Sequence, residues 1–338
     1  MNRPIAPPAT SHLAVLDGWR GISILLVLMG HLLPLGPKSL QLNDMAATMG
    51  MAVFFTLSGF LITRFLLFKP DVSDFLFRRF FRIVPLAWLA MLVTLVATDA
   101  PASYYLPHAL FYANLPPIHL TGAGSHLWSL CVEMQFYVGI ALLVALLGRR
   151  GLYLLPIACL AVTWHRVSYG AHVDIVTWRR LDEILAGCLL AMAHAGKFGV
   201  RATWLLSRLN AYVLLALLAV ASHPSSGGAN YLRPYVAALM VGSTLFAPPV
   251  ALARLLESRV LGYIATVSYA VYVIHHLLMY TWLGSGERFA KYAKRPLLIA
   301  VTFALAHVST FQYERRSMAL GKRLSARFRS RRVAHVAS

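Results

Sequence analysis

The sequence predicts an all-α, polytopic membrane bundle of about ten transmembrane helices, and three observations carry that prediction. Of 338 residues, 59% are hydrophobic and only 13% are charged, where a soluble domain carries about 25% charged residues. The apolar segments are continuous and not alternating, which argues against a β-barrel. About ten of them have the roughly 15–25 residues that cross a hydrocarbon core.

The spans fall at about 17–36, 46–68, 80–98, 128–148, 151–167, 180–196, 203–222, 232–253, 260–282 and 296–313. Roughly, residues 1–16 form a cytoplasmic N-terminal segment without a cleavable signal pattern. Residues 17–313 form the transmembrane domain, and 314–338 a basic cytoplasmic tail. The net charge of +19 lies between the apolar runs, not in one patch, so nucleic acid is not implied. Cys131, Cys159 and Cys188 sit in apolar contexts without paired spacing and read as buried small side chains, with no disulfide framework or metal motif.

Loop cations set the orientation. With both termini inside, the inner side receives Lys69, Arg78, Arg79, Arg82, Arg149, Arg150 and the tail. The outer side then receives Lys38, Arg166, Arg179, Arg180, Arg233 and the run Arg288, Lys291, Lys294 and Arg295, which opposes the assignment. A loop at roughly 99–127 carries Tyr104, Tyr105, His108, Asn114, His119 and His126 but no Lys or Arg. Such a loop can hydrogen-bond a sugar or serve as an ordinary interfacial segment.

The first span reads Leu16-Asp17-Gly18-Trp19-Arg20 and reaches His31 eleven residues on, a rise of about 16 Å and roughly half a bilayer core. An ionisable group there is a functional-site candidate. A neutral imidazole can take a proton from a hydroxyl or attack an acyl group itself. It can also simply hydrogen-bond a neighbouring helix. Asp17 and Arg20 share a helix face, either neutralising each other or leaving Arg20 to face a polar cavity.

At the third span Arg79 and Arg82 stand three apart and form one cationic face. That face suits phosphate, because guanidinium offers bidentate donors, and it suits a positive-inside anchor equally. Glu133 is the lone acid of its span and needs a partner there. Arg179, Arg180, Asp182 and Glu183 open the sixth span as internal ion pairs or as the lining of a cavity. Ser58-Gly59 reads as close helix packing, since no nucleophile elbow surrounds the serine. His275 and His276 sit in a late span, in structural roles or with one facing a cavity.

Six segments together resemble the membrane-bound acyltransferase-3 family: LDGWRGISILLVLMGH, VFFTLSGFLITRF, FLFRRFFRIVPLAWLAML, HLWSLCVEMQFY, WRRLDEILAGCLLA and VSYAVYVIHH. They occur in family order over most of the chain. The resemblance implies transfer of an acyl group, usually from acyl-CoA, to a hydroxyl of a cell-surface polysaccharide, a lipid-linked glycan or a small molecule. It implies catalytic roles for Arg20 and His31, an acyl-donor role for Arg79 and Arg82, and a motif at Trp128, Ser129 and Glu133. Met134 stands where a second glutamate is common, which removes a two-carboxylate role. FQYERRSM lacks the usual proline after its glutamate-arginine pair. No esterase-like domain is expected after the tail.

The expectation is therefore an O-acyltransferase, with acetyl as the expected group, in a bacterial inner membrane. Acyl-CoA is its co-substrate, with no tightly bound cofactor and no metal. His31, Arg20 and Glu133 are the expected catalytic residues, and Trp128, Ser129, Arg180 and Asp182 the expected substrate contacts. Partners are a glycan or other hydroxyl acceptor and membrane lipid, with homo-oligomerisation left open. The same buried His, Glu and Arg also fit a transporter or proton-coupled permease, and a non-catalytic scaffold for glycan assembly is a third reading.

Overall fold

The computed structural model describes residues 13–336, with side chains as far as Ser325. Residues 1–12 and the tail side chains Arg327, Arg329, Arg331 and Arg332 lie outside the described residues. The helices run α1 (Ala14–Leu32), α2 (Leu42–Phe68), α3 (Val72–Ala97), α4 (Tyr105–Ala109), α5 (Trp128–Leu147), α6 (Leu155–Ser168), α7 (Asp182–His194) and α8 (Gly199–Arg208). They continue with α9 (Ala211–Ser222), α10 (Arg233–Phe246), α11 (Val250–Leu256), α12 (Arg259–Met279), α13 (Arg288–Ala293), α14 (Arg295–Val308) and α15 (Arg315–Val336). No β-strand occurs among the described residues.

The architecture is all-α, as expected, but the count of about ten spans is not confirmed. Among the described residues, six helical segments are long and apolar enough to cross a membrane, or up to eight if two sharply bent pairs each count once. The differences have local causes. Near 203–222 the chain breaks at Asn210, whose side chain accepts the N–H groups of Tyr212 and Val213 and starts α9 afresh. Near 232–253 the Pro248-Pro249 pair separates α10 from α11, with a bend of 99°. The first span stops at Leu32, because Leu33 precedes Pro34 and turns extended at φ −106°, ψ 147°. His31 consequently sits in the last turn of α1 and not midway along a longer helix.

The described residues cluster into two compact units. The first holds the chain up to Lys69 and Arg149–Ser268. Its centre is α2, packed between α1 and α7. The Ser58-Gly59 step packs closely here, because a Cβ on Gly59 would lie 1.9 Å from the Ile184 carbonyl oxygen. Gly187 reciprocates, with its Cβ position 2.0 Å from the Thr56 carbonyl oxygen. Lipid tails are as apolar as leucine, so helices in a membrane associate through such close packing of small residues.

The second unit holds Pro70–Gly148 and the chain from Tyr269 onward. Asp71 caps α3 by accepting the N–H of Asp74 at 2.9 Å. The tail does not run free from its start, since α15 packs along the first half of α3. Ser317 donates to the Phe81 carbonyl at 2.7 Å, and Ser325 to the buried Asp74 carboxylate at 3.0 Å. Arg78 pairs with the same carboxylate at 3.0 Å.

Burial also revises the cation tally. Arg166, Arg180, Arg233 and Arg295 are all buried, so they are not surface loop charges and carry no orientation signal.

Candidate functional site

In the first unit, α1 carries Arg20 and His31, both half-buried. Eleven residues advance a helix by about 1,100°, so the two side chains lie within roughly 20° of one face and about 16 Å apart along it. Trp19 is fully buried and donates to the Thr244 hydroxyl at 2.9 Å. Ser23 donates to the Arg20 carbonyl at 2.8 Å. The Trp19 contact, which reaches α10, fixes the register of the helix. The end holding His31 is capped by Asn43, whose amide donates to the carbonyls of Gly30 at 2.8 Å and Leu33 at 2.6 Å. A third, longer contact reaches the Met29 carbonyl at 3.4 Å. Gly30 lets the helices touch there, since its Cβ would lie 2.6 Å from the Asn43 carbonyl oxygen. Sequence reasoning missed Asn43; its signal is a polar amide placed after a helix that ends at a proline.

The same unit buries a charge network. Glu183 accepts from Arg233 Nε at 2.7 Å and pairs with Arg180 at 3.3 Å. Asp182 pairs with Arg166 at 2.5 Å and accepts from Thr163 at 3.2 Å. Asn230 joins the two halves: its carbonyl takes Arg166 at 3.1 Å and its side-chain oxygen takes Arg233 at 3.0 Å. All five ionised side chains are 2% exposed or less. Of the two arrangements open for Arg180 and Asp182, ion pairing is present. Arg166 and Arg233, counted as loop cations from sequence, are its other members.

In the second unit Arg79 and Arg82 share a face of α3 but have different surroundings. The Arg79 guanidinium stacks over the rings of Tyr137 at 5.6 Å and Phe75 at 6.0 Å. Arg82 lies in the field of Glu133 and Glu314 as well as Arg79. Glu133 is buried and accepts a short hydrogen bond from Tyr137, one turn further along α5. Glu314 is buried too, and accepts from Ser309 and Thr310, both at 3.2 Å. It closes the π-helical turn Ser309–Glu314 between α14 and α15, a geometry often found at functional sites. Arg82 thus has two carboxylates near it, while Arg79 is held by aromatic faces. Glu314 escaped sequence reasoning although its glutamate-arginine pair was noticed.

Ser129 is buried, 2.6 Å from the Tyr272 hydroxyl, which donates to the His126 carbonyl. Trp128 is half-buried one residue before it. The rings of His126, His275 and His276 lie 4.5 to 5.9 Å apart. His276 Nδ1 faces the Ala123 carbonyl at 2.9 Å, and a carbonyl only accepts, so that nitrogen carries the proton. Three polar groups of the 99–127 loop, His108, Asn114 and His126, are buried, while Tyr105 is exposed. Asn114 is buried and accepts from Gln135 at 2.9 Å, and buried His108 faces the Tyr104 carbonyl at 2.8 Å. Burial pushes the His108 imidazole below its ordinary pKa.

Continuous apolar helices that carry paired charges, an imidazole and a guanidinium face define an integral membrane protein with a polar site built into its spans. The sequence model of an acyltransferase domain, acyltransferase-3, matches residues 13–311. The chain belongs to that family. It is 24% identical over 87% of its length to the peptidoglycan O-acetyltransferase OatA of Listeria monocytogenes, covering 54% of that protein. It is 27% identical over 77% of its length to the putative peptidoglycan O-acetyltransferase YrhL of Bacillus subtilis, covering 48%. The O-acetyltransferase OatA of Staphylococcus aureus is 26% identical over 53% of the chain and is covered over 34%. The chain thus spans about half the length, or less, of these relatives. No solved structure matches it. Family membership favours acyl transfer over the transporter reading.

Proposed function

We propose that this protein O-acetylates a hydroxyl of a cell-envelope polysaccharide, taking the acetyl group from acetyl-CoA. The observation that carries the reading is the acyltransferase-domain match over residues 13–311. Its polysaccharide element draws on relatives named peptidoglycan O-acetyltransferases.

The chemistry is a single ester exchange. His31 takes the proton of the acceptor hydroxyl as its oxygen attacks the thioester carbonyl. The carbon–sulfur bond breaks, and the leaving thiolate takes up the proton that His31 holds. Arg20 shares the His31 face of α1 but lies about 16 Å back along it, so its part is to meet negative charge on the donor away from the reacting carbonyl. Arg79 fits the phosphates of the donor, because a guanidinium held only by ring faces keeps its fork of N–H donors for an anion. Arg82, balanced by Glu133 and Glu314, holds the α3 face in place. Glu133, with Trp128 and Ser129 near it on the same helix, orients the acceptor. Both termini are cytoplasmic in this proposal. The exposed cations Arg78, Arg315, Arg316, Lys322 and Arg323 support that through the excess of cations on cytoplasmic faces.

The test is acetyl transfer from labelled acetyl-CoA to solubilised polysaccharide by purified protein and by His31→Ala. The expected loss is about 10²–10⁴-fold in turnover, the usual worth of a general base. Wild-type turnover in His31→Ala removes His31 from the mechanism. Absence of any thermal stabilisation by saturating CoA removes the donor assignment.

A further inference from the structure

We infer that the donor site extends onto α15: Arg315 and Lys322 stand on the same flank as Arg79 and take the phosphate that CoA carries on its ribose. The inference rests on the CoA-donor reading and deepens it.

Specific contacts seat α15 on α3. Ser317 donates to the Phe81 carbonyl at 2.7 Å, and Ser325 to the Asp74 carboxylate at 3.0 Å. Between them, a Cβ on Gly321 would stand 2.7 Å from the Phe81 ring. Just before α15, the Tyr313 hydroxyl donates to the Pro85 carbonyl at 3.4 Å. Partners on α3 thus fall from 85 to 74 as positions on the other side of the seam rise from 313 to 325, so the helices run antiparallel. Lys322 therefore comes level with about residue 77, and Arg315 with about residue 83, within a turn of Arg79 and Arg82 respectively.

Rotation about each axis gives the flank. At about 100° per residue, Arg82 stands about 100° and Arg79 about 160° round α3 from Phe81. On α15, Lys322 stands about 100° and Arg315 about 120° round from Gly321, in the same sense. In an antiparallel pair, equal senses of rotation away from the seam open onto one flank. That flank collects Arg79, Arg82, Arg315 and Lys322, and the field of Glu314 at Arg82 fits the same side. The opposite flank is apolar: exposed Phe80 and Leu320 stand about 100° round the other way. A soluble anion is therefore met on one side only. Arg79, half-buried against Tyr137 and Phe75, suits the diphosphate beside the acyl-bearing arm of CoA. Arg315 and Lys322 are exposed and suit the ribose phosphate at the other end of the donor. They stand about 10 Å apart along one face, within reach of a phosphate between them for side chains of that length. A phosphate monoester carries a charge of about −1.5 to −2, which two cations match. Arg78, close to the seam, is already paired with Asp74. Arg316 and Arg323 stand about 220° and 200° round from Gly321 and face away from α3.

The experiment uses the full chain in a non-ionic detergent and compares CoA with dephospho-CoA, which lacks only the ribose phosphate. Apparent affinities are read from the rise in thermal midpoint with ligand concentration. Wild type is expected to favour CoA by about tenfold. Arg315→Gln and Lys322→Gln each cut that preference by about threefold, and the double variant abolishes it, with affinity for dephospho-CoA unchanged. Arg323→Gln removes an equal charge from the far face and keeps the preference. Equal affinity of the wild type for the two ligands, or a preference kept by the double variant, overturns the assignment to α15. An equal loss in Arg323→Gln overturns it too, by showing net charge at work and not a site. So does a double variant that weakens both ligands alike. Stabilisation by phosphatidylglycerol that the double variant loses, with the CoA preference intact, assigns the pair to a lipid headgroup instead. Stabilisation of the wild type by neither CoA nor dephospho-CoA overturns the donor reading beneath the inference.

Discussion

Replacing Gly59 or Gly187 by alanine tests how α2 and α7 are joined. The added Cβ would stand 1.9 Å from the Ile184 carbonyl oxygen in the first case and 2.0 Å from that of Thr56 in the second. Ordinary contact begins near 3.4 Å, so the difference, 3.4 − 1.9, requires the helices to part by about 1.5 Å. Backbone atoms cannot swing aside as the end of a side chain can. A gap of 0.5–1 Å already forfeits roughly a quarter to a half of a dispersion well, and overpacking of this kind costs about 1–3 kcal/mol. For a chain of 338 residues that lowers a thermal midpoint by roughly 1.4–4 °C, at about 2.1 cal/mol/K of unfolding entropy per residue. The two substitutions demand the same separation, so the double variant should lose little more than either single one. The assay is tryptophan fluorescence of purified protein in detergent, heated at one fixed rate. A midpoint within about 1 °C of wild type for either single variant refutes the reasoning, as does full additivity in the double.

Two further substitutions separate support from chemistry. Glu183→Gln leaves Arg180 and Arg233 buried without their shared carboxylate, and should cost about 3–5 kcal/mol, seen as a lowered midpoint or lost folded yield with the acceptor KM unchanged. A stable variant with a raised acceptor KM would instead show Arg180 and Asp182 touching substrate. Asn43→Ala uncaps the turn that carries His31, and should cost about 1–2 kcal/mol of stability and lower kcat while the donor KM holds. A raised KM with unchanged kcat would remove Asn43 from the positioning of the imidazole.

The helical class was legible because a membrane solvent enforces long, continuous apolar runs, and those runs survive in the sequence without any knowledge of contacts. Where the spans break was less legible. Asn210 interrupts an apolar run that hydropathy reads straight through, since averaging over a window hides one capping amide. The candidate residues were readable individually, as charges stranded in apolar surroundings. Their partners were not. Arg166 and Arg233 look like ordinary loop cations until folding brings them to Asp182 and Glu183, sixteen and fifty residues away. The unlike surroundings of Arg79 and Arg82 are largely a tertiary fact, since Tyr137 and Glu133 arrive from α5 and Glu314 from the turn before α15, and only Phe75 is local to α3.

The buried network of the first unit also constrains how the chain is made. Both of its acids lie on α7, while two of its three arginines come from α6 and α10. Entering lipid alone, α7 carries both carboxylates in its first turn with only Arg180 beside them, so one of the two charges stays unmatched. Arg166 emerges from the ribosome before α7 and can neutralise Asp182 at once. The best-placed partner of Glu183 is translated fifty residues later. The network reaches its final pairing only when α10 has been synthesised, with Arg166 and Arg180 holding the two acids until then. Nascent chains truncated between Glu183 and Arg233 should be prime substrates for membrane proteases.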